Sequence, residues 1–161
     1  MLKRTLAMLL AFGLLAIPVA SAAAQTPLQK LEKRGAFWAT SVTDADGGHP
    51  IREVRWLWLS FGSVSTIPER GKERHSHPVL FWEHTCNEHF YRVHVTRHRF
   101  LLKFEGSTAV GCSGDEDDWL EHFFDAGPHW RLRRGALILT APTGRIVMRP
   151  NPHRDIRERF R

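Results

Sequence analysis

Cys86 and Cys112 are the only cysteines of this chain, and they lie 26 positions apart. That separation is not the Cys-x-x-Cys arrangement of thiol oxidoreductases, so redox catalysis finds no motif. The simplest chemistry open to the pair in an oxidising compartment is one structural disulfide. Closing a loop of about 27 residues would stabilise the fold by roughly 3–4 kcal/mol. The alternative is a pair of unlinked buried thiols.

Histidines form the second chemically capable set. His75, His77, His84, His89, His94 and His98 fall within one short span. Imidazoles at i, i+2 on a strand can share a zinc or copper ion, and the ligand set to test is His75, His77 and His84. No HExxH or Cys-x-x-Cys accompanies them, so scattered surface histidines are the competing reading. Ser60, Ser63 and Ser65 stand near Gly62, but there is no G-x-S-x-G elbow to orient a nucleophile. Asp115 to Asp118 are consecutive, whereas glycosidase carboxylates come from separated elements. They read as the acidic first turn of a helix. No catalytic residue and no cofactor is assigned.

Trp56 and Trp58 alternate with Leu57, Leu59 and Phe61. On a strand this puts the tryptophans on one face and the leucines on the other. With Trp82 they would form an apolar surface for an envelope partner or a small apolar ligand. A sheet covered on both faces is the competing arrangement.

The elements that position these groups follow a Lys3-Arg4 start, an apolar run from Leu6 to about Val19, and small residues to Ala24. Residues 1–24 thus read as a secretory signal, which predicts a periplasmic or secreted product with no membrane span. Without Lys3 and Arg4 the net charge of +6 falls to +4, and the tail after Pro150 holds +2 of that. Such a mild balance, together with export, argues against a nucleic-acid partner. Weak contact with anionic surfaces stays open. The chain is 42% hydrophobic and 25% charged. That is the composition of a folded domain.

Residues 25–34 read as a polar lead-in or a short helical turn. Strands are expected at 36–42, 55–61, 79–82, 90–95 and 100–104, with a long polar connection from Gly62 to Pro78. Tyr91, Val93 and Val95 share one face. A helix begins at Ser113 or Asp115, buries Leu120, Phe123 and Phe124 at i, i+3 and i+4, and ends at Gly127-Pro128. Strands at 130–132, 136–139 and 146–148 follow, turning at Gly135 and Pro142-Thr143-Gly144. Residues 150–161 read as a basic, mobile tail.

This order of elements resembles the META domain of HslJ-like exported bacterial proteins over about 35–149. The residues that carry the resemblance are Gly35-Ala36-Phe37-Trp38, Cys86-Asn87, Thr108-Ala109-Val110-Gly111-Cys112, the acidic helix, and Gly135-Ala136-Leu137-Ile138-Leu139. The resemblance implies an α+β domain: a curved, partly barrel-like antiparallel sheet with one packed helix before the C-terminal strands. It also implies a stress-related or binding role in the envelope without enzymatic chemistry. A periplasmic zinc- or copper-binding protein using the histidine-rich loop is the alternative.

Overall fold

The computed structural model describes residues 24–65, 76–84, 87–108 and 115–151. The 1–24 signal (all but its last residue), both cysteines and the tail after Asn151 therefore lie outside the described residues.

A short helix opens the fold: α1, Pro27–Glu32. Thr26 and Gln29 close a reciprocal capping box, and Pro27 fits the first turn. Leu31 is fully buried, so this lead-in is part of the core. Strand β1 (Ala36–Asp44) ends in a turn where the Asp44 carboxylate accepts from the Asp46 and Gly48 amides. A single 3-10 turn over Val54–Trp56 leads into β2 (Trp58–Ser65). Next come β3 (Ser76–His84), β4 (Asn87–Val95) and β5 (Phe100–Ser107). The helix α2 spans Asp115–Asp125, and β6 (His129–Arg133), β7 (Ala136–Ala141) and β8 (Gly144–Asn151) complete the fold.

All eight strands form one antiparallel sheet in the order β5-β4-β3-β2-β1-β8-β7-β6. It curls into a half-barrel with α2 before the C-terminal strands, which is the expected α+β class. The two outer strands meet at one corner, where Arg99 bridges His129 and the Phe100 amide donates to the Pro128 carbonyl at 3.0 Å. Arg99 also donates to the carbonyls of Gly127, at 2.7 Å, and Ala126, at 3.0 Å. These bonds satisfy orphan groups at the end of α2.

Residues paired across neighbouring strands share a face. Phe37, Leu59, Trp82 and His89 therefore form one row, and Trp38, Trp58, Glu83 and Glu88 the row behind it. The inner row faces the core, which includes Leu120, Phe123 and Phe124 of α2 as expected, together with Leu137, Leu139, Ile146 and Met148. Tyr91, Val93 and Val95 share this face as the alternation predicts.

The segment 55–61 departs from expectation. The Leu57 amide donates to the Val54 carbonyl, which closes the 3-10 turn and takes Trp56 out of the strand. Pro150 and Asn151, assigned to the tail from sequence, pair with Phe37 and Ala36.

The β7–β8 turn places Gly144 at φ 151°. A Cβ there would run into the Thr43 carbonyl oxygen and sit 2.8 Å from Asp44 Cα, in the seam joining the two halves of the sheet. Gly144→Ala is expected to destabilise by about 2–3 kcal/mol in chemical denaturation. A change under about 0.5 kcal/mol would mean the seam is looser than this packing implies.

Candidate functional site

The inner face of β3 and β4 carries His84 and His89 beneath α2. Alternation on β3 aligns His84 with Leu80 and Trp82, and alternation on β4 aligns His89 with Tyr91. Both imidazoles are enclosed, with His84 at 0% and His89 at 2% exposure. His84 Nδ1 lies 3.1 Å from Asp117 Oδ1, and its Nε2 lies 3.4 Å from Glu116 Oε2. Glu116 also accepts from the Arg52 amide at 3.3 Å. His89 stacks on Trp82 with ring centres 3.8 Å apart and planes 4° apart, and its Nδ1 is 3.4 Å from Glu121 Oε1. Trp82 stacks in turn on Phe124 of α2 at 5.5 Å.

The helix is thus held to the sheet by the His84–Asp117 hydrogen bond beside an aromatic stack, while His84 Nε2 and His89 Nδ1 approach Glu116 and Glu121 at 3.4 Å without hydrogen-bonding them. Burial, reinforced by Asp125 and Glu121, pushes the Tyr91 phenol well above its ordinary range. An imidazole between two carboxylates can orient a helix. Ser60 lies on the opposite face of the sheet from both histidines, paired with Phe81, so it cannot be the nucleophile of either.

The structure distributes the expected site residues differently from the sequence reading. His77 and His84 are seven residues apart on β3, which puts them on opposite faces and roughly 23 Å apart. They cannot share an ion. His77 Nε2 instead meets Glu105 Oε2 at 2.9 Å, and Arg92 meets the other carboxylate oxygen at 2.8 Å. Burial raises the Glu105 carboxyl, but hydrogen bonds from His77 and Arg92 outweigh it and hold the group below its ordinary range. His75 lies outside the described residues. Among the described residues no three His, Cys, Asp or Glu side chains are placed to hold a metal ion.

The three tryptophans are also separated. Trp56 is 54% exposed with Arg55 over its ring at 5.4 Å, while Trp58 is 4% exposed and donates to Glu83 Oε2 at 2.8 Å. Trp82 is buried on the other face of the sheet, against α2. The three share no surface: the 3-10 turn takes Trp56 out of the strand, and register pairs Trp82 with Leu59 on the inner face while Trp58 pairs with Glu83 on the outer one.

Cys86 and Cys112 lie outside the described residues, but their neighbours are placed. The Glu88 amide donates to Thr108 Oγ1 and the Thr108 amide to the Glu88 carbonyl, both at 2.9 Å. His84, on the other side of Cys86, holds Glu116 and Asp117, on the other side of Cys112.

Asp117, Glu116 and His89 were missed as partners from sequence alone. Asp117 lies three residues before Leu120 and seven before Phe124, on the buried stripe of α2, and a carboxylate there needs a partner. His89 continues the buried alternation of β4. Those two spacings were the available signal.

Burial lowers the affinity of His89 for a proton below its ordinary pKa of 6.5, and the Asp117 charge offsets this only in part. The unfolded chain takes up that proton first, so this contribution to stability is intact above about pH 6.5 and declines as pH falls below it. Glu121 acts in the opposite sense. Burial, then Asp118, Asp125 and Asp117, raise its carboxyl pKa, so acidification relieves its penalty. His89→Phe, which keeps a ring on Trp82, is expected to flatten the acid-side loss in urea titrations across pH. An unchanged slope would place the acid sensitivity elsewhere.

The fold and this cluster define a curled antiparallel half-barrel with one helix joined to the sheet by a buried His84–Asp117 pair. Comparison with protein-family models, curated proteins and solved structures finds no match.

Proposed function

We propose that the chain is an exported envelope protein whose single domain is clamped by a Cys86–Cys112 disulfide. In this reading it serves as a stress-related or binding module of the envelope, not as an enzyme. The observation that carries the disulfide is the convergence of both cysteine neighbourhoods. Glu88 and Thr108 are joined by two hydrogen bonds, and His84 reaches the first turn of α2. A bond between Cys86 and Cys112 would close the same junction covalently. Export is supported by the basic start, short apolar run and small residues of 1–24, the three parts of a secretory signal. The envelope role rests on the resemblance of the sequence motifs to META domains.

The test is fractionation of cells expressing the full chain, followed by thiol labelling of the denatured protein. The expected product lacks residues 1–24 or close to it, sits outside the cytoplasm, and takes up label only after reduction. Uncleaved cytoplasmic protein would overturn export, and two free thiols in exported protein would overturn the clamp.

A further inference from the structure

Between Gly127 and Asn151 the chain carries Arg131, Arg133, Arg134, Arg145 and Arg149 and no aspartate or glutamate. Strand register places four of them on one face. Arg131 pairs with Ile138, Ile138 with Val147, and Val147 with Ser41. Behind that row, His129 pairs with Thr140 and Thr140 with Arg145. Ahead of it, Arg133 pairs with Ala136 and Arg149 with Trp38. This face points away from the core residues Leu137, Leu139, Ile146 and Met148.

All five arginines are exposed, as is His129. Arg145 and Arg149 are about 13 Å apart along β8, and β6 lies about 10 Å from β8 across β7. None of the five has an ion-pair partner among the described residues. Arg52, Arg55 and Arg92 elsewhere each meet a carboxylate.

Arg134 adds an independent sign. It occupies the first central position of the two-residue β6–β7 turn at φ 50°, followed by Gly135 at φ 80°. Asparagine or glycine would hold that conformation without strain, so the turn keeps an arginine at a backbone cost. The opposite sign of charge is gathered on the other side of the sheet. Asp115, Glu116, Asp117, Asp118, Glu121 and Asp125 all belong to α2, which packs on the inner face. Glu83 and Glu88 do share the outer face, but on β3 and β4, beyond β1 and β2 from the arginines, so an anionic surface would meet the β6–β8 end of that face.

We infer that the outer face of β6, β7 and β8 docks the protein onto a bilayer containing anionic phospholipid. Guanidinium groups suit headgroup phosphates because their planar fork can hydrogen-bond two oxygens at once. A two-dimensional array of basic groups on a sheet matches a planar array of phosphates. A single-stranded nucleic acid would need stacking aromatics spread among the basic residues; across β6, β7 and β8 this face carries Ala136, Ile138, Thr140 and Val147, and Trp38 of β1 flanks Arg149 alone. Access to such a membrane in the cell rests on the envelope reading above, but binding to vesicles does not.

The experiment is co-sedimentation of the mature protein with phosphatidylglycerol–phosphatidylcholine vesicles and with phosphatidylcholine alone. Binding is expected only to the former, and it should vanish in molar salt, where screening acts within about 3 Å. Each arginine removed should weaken partitioning about five-fold, so Arg131→Gln with Arg149→Gln should weaken it about 25-fold. Arg134→Asn should weaken it about five-fold while raising the melting temperature, which separates binding from folding. Several results would overturn the inference: equal binding to both vesicle types, none to either, or an unchanged double variant. Preference for a short DNA duplex in competition would do the same, as would sedimentation through self-association without vesicles. Cytoplasmic retention with intact vesicle binding would instead count against the export reading alone.

Discussion

Trp82→Ala is expected to destabilise the domain by about 3–5 kcal/mol, the range for emptying a buried indole site. Trp82 is fully enclosed and lies between the His89 ring and Phe124, so it joins β3, β4 and α2 in one stack. Its removal leaves a void beside two buried imidazoles and strips the main aromatic contact between helix and sheet. Surrounding side chains on a sheet pinned by long-range pairing can close such a void only in part. Trp82→Phe keeps a ring against Phe124 and should cost less than half as much. Trp56→Ala is the control, because its ring is over half exposed and touches Arg55. A stability change within about 0.5 kcal/mol is expected there. Urea denaturation of the three variants measures all of this. Equal costs at Trp56 and Trp82 would contradict the separation of the tryptophans into surface and core.

Reduction of the proposed Cys86–Cys112 bond, or Cys86→Ser with Cys112→Ser, is expected to lower stability by about 3.5 kcal/mol. The effect comes chiefly from the unfolded chain, which regains the freedom of a loop of about 27 residues. The folded junction keeps its hydrogen bonds between Glu88 and Thr108 and the His84 contacts to α2. The reduced protein should therefore still fold, with its denaturation midpoint shifted to lower urea. An oxidised and a reduced sample with the same midpoint would show that no bond linked the two residues. The result also bears on the acid response, because a covalent clamp beside His84 would hold α2 in place as the His89 contribution fades.

Local periodicity alone revealed much of this architecture. Leu120, Phe123 and Phe124, with Gly127-Pro128 behind them, announced α2 and its buried stripe. Gly135 and the Pro142-Thr143-Gly144 run announced the two hairpins of β6, β7 and β8. Tyr91, Val93 and Val95 announced the inner face of β4. These signals are legible because a helix repeats every 3.6 residues and a strand every two, so a few neighbours suffice to reveal them.

The site was much less legible. Alternation from Arg55 to Phe61 predicted one tryptophan face, but a hydrogen bond closing the turn at Val54–Leu57 shifted Trp56 out of register with Trp58. His77 and His84 looked like members of one ligand set because they are near in sequence. Seven positions on an extended strand place them on opposite faces and far apart. The partnership of His84 with Asp117 joins residues 33 apart, and a helix-start carboxylate has a sufficient local explanation in the helix dipole.

The chain by itself thus determined most of the elements, the acidic helix and the concentration of arginines after Gly127. Tertiary structure decided which strands adjoin, through the pairing of β1 with β8, and so which charges share a face. It also decided which histidines are enclosed. The reason is physical: periodicity is a property of neighbouring residues, whereas register and burial arise only when distant segments close on one another.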